Sequence, residues 1–313
     1  MRACLTLLTC CLALPIMANA DGGWPRTITH EAGELVLEDQ PRRVVSTSPS
    51  LTGTLLALDV PLAATAVAMR TPLADDQGFF LQWAKAAHEK GVEVLYPNLA
   101  FDFEALIVQD ADLVIAAKTG GDSIMPYLAE LQAMEIPVMV LDYGTSDWVE
   151  LARQIGVATG HEDDAARVTQ AYKAHAADVA SGLTRPEGTV SIVSYNFAGT
   201  FGVSKPVSAQ AQVLADLGFV VTGIPEEMRA RVQESREYDF ISHENLAGAI
   251  TGDTVFLLNG TPEAVQTVLA DPVLANVPAI KAGRVYPLGP LSFRVDYYSA
   301  LDIIETVAPY FTE

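Results

Sequence analysis

The sequence predicts an α/β protein of two lobes bridged by a single long helix. Three observations predict it. Short apolar runs alternate with helical stretches up to about residue 142. The stretch from Thr145 to Gly182 is helical almost throughout, and the alternation then resumes to the end of the chain. Runs that are apolar throughout, rather than apolar at every second position, mean strands covered on both faces, as in a parallel sheet.

The elements follow in order. Val44-Val45-Ser46-Thr47 reads as a strand, followed by a Ser-Pro turn and a helix from about Thr52 to Leu58. Leu62 to Ala68 is the next strand and Phe79 to Lys90 a helix. Asp112 to Ala117 is a buried strand ending near Gly120-Gly121, where Asp122 or Ser123 is placed to cap a helix running to about Met134. Val138 to Asp142 closes the first lobe as a strand. The helical segment has one interruption, at Gly160. Beyond it Glu162, Asp163 and Asp164 suit the positive end of a helix, and Ala165, Val168, Ala171, Tyr172 and Ala176 share one face. In the second lobe Val190 to Tyr195, Phe219 to Ile224, Val255 to Leu258 and Val285 to Leu288 read as strands. Ser208 to Leu217, Pro262 to Leu269 and Tyr297 to Phe311 read as helices. The division expected is 1–20 as a leader, 21–145 as the N-terminal lobe, 146–184 as the helical segment and 185–313 as the C-terminal lobe. A stiff helical bridge implies limited motion between the lobes.

The leader carries a basic start, an apolar run from Ala3 to Met17 and the small residues of Ala18-Asn19-Ala20, the pattern of a secretory signal peptide cleaved after Ala20. The run is too short to span a bilayer. Neither Cys10 nor Cys11 has the small residue before it that lipidation needs. Cys4, Cys10 and Cys11 are all the cysteines of the chain, so the exported form is expected to carry no disulfide and no thiol ligand. With 19 Lys+Arg against 39 Asp+Glu the formal charge is −20, which argues against nucleic acid or an anionic membrane as partner.

The lobes echo each other. Phe103-Glu104-Ala105-Leu106 precedes the strand that begins at Asp112, and His243-Glu244-Asn245-Leu246 precedes the strand after Asp253. An acid opening a short helix is common and by itself needs no function.

The order Arg42-Arg43-Val44-Val45-Ser46-Thr47 with Thr52-Gly53-Thr54-Leu55-Leu56, then Asp75-Asp76-Gln77-Gly78-Phe79, Gln82-Trp83 and Thr119-Gly120-Gly121-Asp122-Ser123, carries a wider likeness. Ser208-Ala209-Gln210, Glu244-Asn245-Leu246-Ala247 and Phe293 to Ala300 continue it. In joint order and spacing the chain resembles the periplasmic ferric-siderophore binding proteins of ABC importers, those for ferric enterobactin in particular. The resemblance runs from about Trp24 to Phe311. It implies two Rossmann-like lobes on a helical backbone (the class III binding-protein fold), with the ligand in a shallow cleft between them. It implies a cofactor-free monomer located in the periplasm, the iron arriving already chelated. It also implies that an acid on each lobe, here Glu104 and Glu244, docks against basic pockets of a dimeric inner-membrane permease.

A ferric tris-catecholate is bulky, triply negative and aromatic on its faces, so its site calls for fixed cations and flat groups. Arginine suits both needs, since its guanidinium stacks and donates several hydrogen bonds. The resemblance puts binding arginines at Arg294 and Arg70, and with a gap in the correspondence at Arg236. Where the ferric-enterobactin proteins carry a tryptophan before the segment matching Pro206-Val207-Ser208, this chain has Ser204-Lys205. Phe197 or Phe201 is then the ring available, with Lys205 as an added cation; core packing is the other role open to either phenylalanine.

Other ligands of the same fold stay open: a hydroxamate siderophore, haem or cobalamin. Bare metal is disfavoured, because His30, His88, His161, His175 and His243 show no metal-type spacing. The rival from another class is an exported hydrolase, and no catalytic motif supports it. There is no Gly-x-Ser-x-Gly elbow, no His-Glu-x-x-His and no phosphate-cradling glycine loop.

Overall fold

The structure, a computed structural model, describes residues 23–197 and 199–312. The expected signal segment 1–20 and the side chain of Phe197 lie outside the described residues.

A hairpin of β1 (Arg26–His30) and β2 (Gly33–Leu37) opens the fold; the sequence reading had not marked it. The first lobe is built on β3 (Val44–Ser46), β4 (Leu62–Thr65), β5 (Glu93–Val94), β6 (Leu113–Ala117) and β7 (Val138–Leu141). They form an all-parallel sheet in the order β5-β4-β3-β6-β7. Every residue of β3, β6 and β7 is buried, as the apolar runs required. The chain fills one side of β3 and then the other, so the order reverses between β3 and β6. Such a reversal opens a crevice at the carboxyl ends of the two strands.

The second lobe is built on β8 (Val190–Phe197), β9 (Thr200–Ser204), β10 (Gln233–Glu234), β11 (Tyr238–Ile241), β12 (Thr254–Leu258) and β13 (Val285–Pro287), in the order β10-β11-β9-β8-β12-β13. Here β8, β12 and β13 are parallel, while β9, β10 and β11 run antiparallel to their neighbours. The sheet is therefore mixed, where the reading expected a repeat of the first lobe. The apolar run Phe219 to Ile224 is not a strand. Only Val221 bridges to Val190, the first residue of β8, and Val220 is 63% exposed, so the run is a loop that meets the sheet at a single point.

The bridge comprises two consecutive helices, Trp148–Thr159 and Glu162–Ser181. Gly160, at φ +72°, ends the first in the left-handed region that glycine enters without cost. The second has 20 residues and so runs about 30 Å. Its buried face is Ala165, Val168, Tyr172 and Ala176; Ala171, expected on that face, is exposed. One continuous apolar core includes Leu55, Trp83 and Ile155 as well as Ile192, Leu214 and Ile304, so both lobes contribute to it. Separate clusters lie on the far face of each sheet, including Leu106 and Leu131 in the first lobe and Leu246 and Val268 in the second. Parting the lobes would expose the shared core.

The last helix, Tyr297–Val307, crosses this junction and is capped by Asp296. The Asp296 carboxylate accepts from the backbone N–H of Tyr298 (2.9 Å) and Ser299 (3.0 Å), while the Asp296 N–H donates to the Ser299 hydroxyl (2.8 Å). This is a reciprocal capping box. Burial pushes the carboxyl up to about 6, against the pull of those hydrogen bonds. A carboxyl raised on folding holds its proton more tightly in the native state. Its contribution to stability is full below the unfolded value near 4 and is lost as pH rises through 6. Asp296→Asn keeps an acceptor and removes the charge. Denaturant titrations should show wild type losing up to roughly 3 kcal/mol relative to Asp296→Asn between pH 4 and 7. Parallel stability curves would show that Asp296 titrates normally.

Candidate functional site

The loops at the carboxyl ends of β4 and β13 face each other across the interlobe crevice. Between them lies a cavity of about 500 Å³, walled by Ala68, Met69, Thr71, Leu73, Phe80 and Leu99 from the first lobe and by Pro290, Leu291, Phe293 and Arg294 from the second. Its lining is mostly apolar. Ala68, Met69 and Asn98 also border a wider groove of about 940 Å³, into which Arg70 opens. On the other side of Arg294 is a small cavity of about 100 Å³ of mixed lining, where Ser50, Tyr143, Gln210 and Glu237 meet Leu151 and Val295.

Arg294 is thus the residue on which the crevice turns. Its guanidinium carbon lies 5.6 Å from the ring of Tyr143, 5.8 Å from Phe293 and 5.9 Å from Phe80, within cation–π range of all three. Its Nη1 donates to the Ser50 hydroxyl of the opposite lobe. Among the described residues no carboxylate comes within ion-pair distance of either Arg294 or Arg70. In a chain so rich in acids, two unpaired arginines on one crevice are a local reversal of the overall charge.

Arg236 is exposed, and its Nη2 donates to the Thr145 carbonyl across the lobes (2.7 Å). It borders none of these three cavities, although its neighbour Glu237 does. Burial raises the Glu237 carboxyl, while the Ala209 N–H and the Arg236 charge pull it down.

Two expectations differ from what the structure places. Lys205 is not an idle cation. Its ammonium pairs with buried Asp239 at 3.2 Å and donates to the Ser235 carbonyl at 2.7 Å, because the start of β11 packs beside the end of β9. Phe201 lines none of the three cavities; it stacks on His243 (4.8 Å, 24°) and meets Tyr195 edge-on. The rings at the crevice are instead Phe80, Phe293 and Tyr143. A signal for them existed, since Phe293 adjoins Arg294 and Tyr143 follows a strand end.

Asp122, expected as a cap, is a buried carboxylate instead, 6% exposed. It accepts from the hydroxyls of Ser48, Ser50 (3.3 Å) and Tyr143 (2.6 Å). Burial and the Asp122 charge together push the Tyr143 phenol up to about 12. The helix after it spans only Leu128–Ala133.

Glu104 and Glu244 are both exposed, each in the first turn of a short helix, Phe103–Val108 and His243–Ala249. The echo between the lobes extends beneath them. Leu106 and Leu246 are buried at matching places. The carboxylates of Asp112 and Asp253 then accept backbone N–H groups leading into the neighbouring strand, from Arg42 and Arg43 in one lobe and from Thr189 in the other. The residue before each glutamate belongs to a ring cluster: Phe103 meets Phe101, which stacks on Tyr127, and His243 stacks on Phe201, which meets Tyr195.

Among the described residues there is no cluster of metal-ligating side chains, and no helix is long and apolar enough to cross a membrane. Two α/β lobes on a helical bridge, with an open crevice of arginine and aromatic rings, define a solute-binding protein. The chain belongs to the periplasmic binding protein family, whose sequence profile matches residues 44–290; its members bind solutes and are not enzymes. The ferric enterobactin-binding periplasmic protein FepB of Escherichia coli O6:H1 is 37% identical over 309 residues, 97% of this chain and 96% of that one. The crystal structure of holo-ViuP aligns with a TM-score of 0.85 and 34% identity, over 93% of this chain and 96% of that one. PiaA of Streptococcus pneumoniae TIGR4 in complex with ferrichrome shares the fold, with a TM-score of 0.66 and 18% identity over 91% and 95% of the two chains.

Proposed function

We propose that this protein captures a ferric catecholate siderophore of the enterobactin type in the interlobe crevice and delivers it to an inner-membrane ABC importer. The observation that carries the proposal is the unpaired Arg294 guanidinium set among three aromatic rings at the mouth of an apolar cavity. A ferric tris-catecholate offers the matching surface, negative oxygens close to the iron and flat rings outside. Arg294 and Arg70 supply the charge and Phe80 and Phe293 the stacking faces, while Arg236 lies outside the three cavities and holds the Thr145 carbonyl across the lobes. Lys205 and Phe201 belong to the frame of the second lobe. The relation to FepB supports the choice of ligand. In this reading the protein works as a monomer in the periplasm, after loss of residues 1–20, without a cofactor, since the iron arrives chelated. Its lobes are 21–145 and 185–313, joined by the segment 146–184, and Glu104 and Glu244 dock on the two halves of the permease.

Tryptophan fluorescence reports the test directly. Trp83 is buried against Phe80, a wall of the crevice, with ring centroids 5.8 Å apart. Ferric catecholates absorb strongly, so binding should quench it. Ferric enterobactin should quench saturably and tightly, while ferrichrome, haemin and iron-free enterobactin should bind at least about a hundredfold more weakly. Tighter binding of ferrichrome or haemin would move the proposal to that ligand class. Binding of none would overturn it.

A further inference from the structure

We infer that Asp122 is a positioning residue for Arg294, acting through the hydroxyls of Ser50 and Tyr143. The inference rests on the reading of Arg294 as a ligand-binding cation. Asp122 lies just beyond the carboxyl end of β6, at the strand-order reversal, is buried, and lines neither of the two cavities that Arg294 borders. Its Oδ2 accepts from Ser50 at 3.3 Å and its Oδ1 from Tyr143 at 2.6 Å. A hydroxyl has one proton to give. With the Ser50 proton committed to the carboxylate, the oxygen turns its lone pairs outward, and the Nη1 of Arg294 donates to that oxygen. The Tyr143 ring, held by its own bond to Asp122, lies 5.6 Å from the guanidinium carbon. Two of the contacts that aim Arg294 therefore depend on one buried carboxylate.

The separation has a purpose in this chemistry. A carboxylate paired directly with Arg294 would take up its paired N–H groups and offset the charge that an anionic ligand must meet. Set back by one hydroxyl, it orients the guanidinium and leaves the remaining donors facing the crevice. The Gly120-Gly121 turn keeps this route open. Gly120 has φ +89°, and a Cβ there would lie 1.7 Å from the Tyr143 hydroxyl oxygen and 2.8 Å from Asp122 Oδ1. No side chain fits where the phenol meets the carboxylate.

The test is a set of double-mutant cycles read as the Kd for ferric enterobactin by tryptophan quenching. Asp122→Asn, Ser50→Ala and Tyr143→Phe are each measured alone and in an Arg294→Ala background. Each should weaken binding by about three- to tenfold alone and by less than about twofold once Arg294 is gone, because interacting residues are not additive. A merely structural role predicts the same loss in both backgrounds, and that result would overturn the inference, as would no loss in either. Ser50→Ala and Tyr143→Phe keep the buried charge, so the question stays answerable if Asp122→Asn folds poorly. If Arg294→Ala itself binds as wild type does, the ligand reading of Arg294 fails, and the inference with it. Failure of the cycles alone leaves that reading standing.

Discussion

Arg294→Ala is expected to weaken capture of ferric enterobactin by about a hundredfold or more while leaving the fold intact. Hydrogen bonds to a charged group contribute about 1.5–3 kcal/mol each, and a desolvated cation–π contact adds up to about 2 kcal/mol. Loss of one of each comes to about 2–5 kcal/mol, a range that spans the roughly 2.7 kcal/mol of a hundredfold change. The overall charge of −20 repels an anion at long range, so affinity has to come from cations placed within the crevice. Stability should change little, since Arg294 takes part in no ion pair among the described residues and its side chain meets the half-buried hydroxyls of Ser50 and Tyr143 at the crevice. Arg294→Lys should recover only part of the loss, because an ammonium neither stacks flat on rings nor donates in a planar fork. Quenching titrations with parallel thermal melts decide the matter. Unchanged affinity in Arg294→Ala, or full recovery in Arg294→Lys, would remove Arg294 from the site.

Much of this architecture was legible because it depends on local chemistry. Buried parallel strands need apolar residues on both faces, so β3, β6 and β7 stand out as short apolar runs. A left-handed residue between two helices calls for glycine, which makes Gly160 readable as a break. What was not legible depends on partners distant in the chain. Asp122 carries the same local pattern whether it caps a helix or accepts from Ser48, Ser50 and Tyr143, residues brought to it by other strands. Lys205 reads as a free cation until β11 places Asp239 beside it. The antiparallel half of the second sheet was hidden for a related reason. β9 and β11 are short and include polar residues within them, and their pairing is set by tertiary contact rather than by a sequence period. Arg294 entered the reading through the resemblance and its place ahead of the last helix, whereas Ser50, Phe80 and Tyr143, which surround it, are distant in the chain.

The double variant Glu104→Ala/Glu244→Ala is expected to bind ferric enterobactin within about twofold of wild type and to lose nearly all transport. The two functions separate because the two sets of residues do. Neither glutamate lines the Arg294 cavities, and both are exposed at the starts of short helices on different lobes. An exposed acid in the first turn of a helix contributes only about 0.3–1 kcal/mol to stability, so the fold should survive its loss. Docking is another matter. Removing one partner of a charge pair that becomes buried on association costs about 2–5 kcal/mol, so losing two would reduce productive encounter far more than a hundredfold. Each single variant should fall between wild type and the double, because one anchored lobe still sets part of the register. The measurement is uptake of radiolabelled ferric enterobactin by the permease reconstituted with each variant, beside the Kd of the same preparations. Loss of binding in the double variant would place these carboxylates in the ligand site. Undiminished uptake would mean that another surface engages the permease.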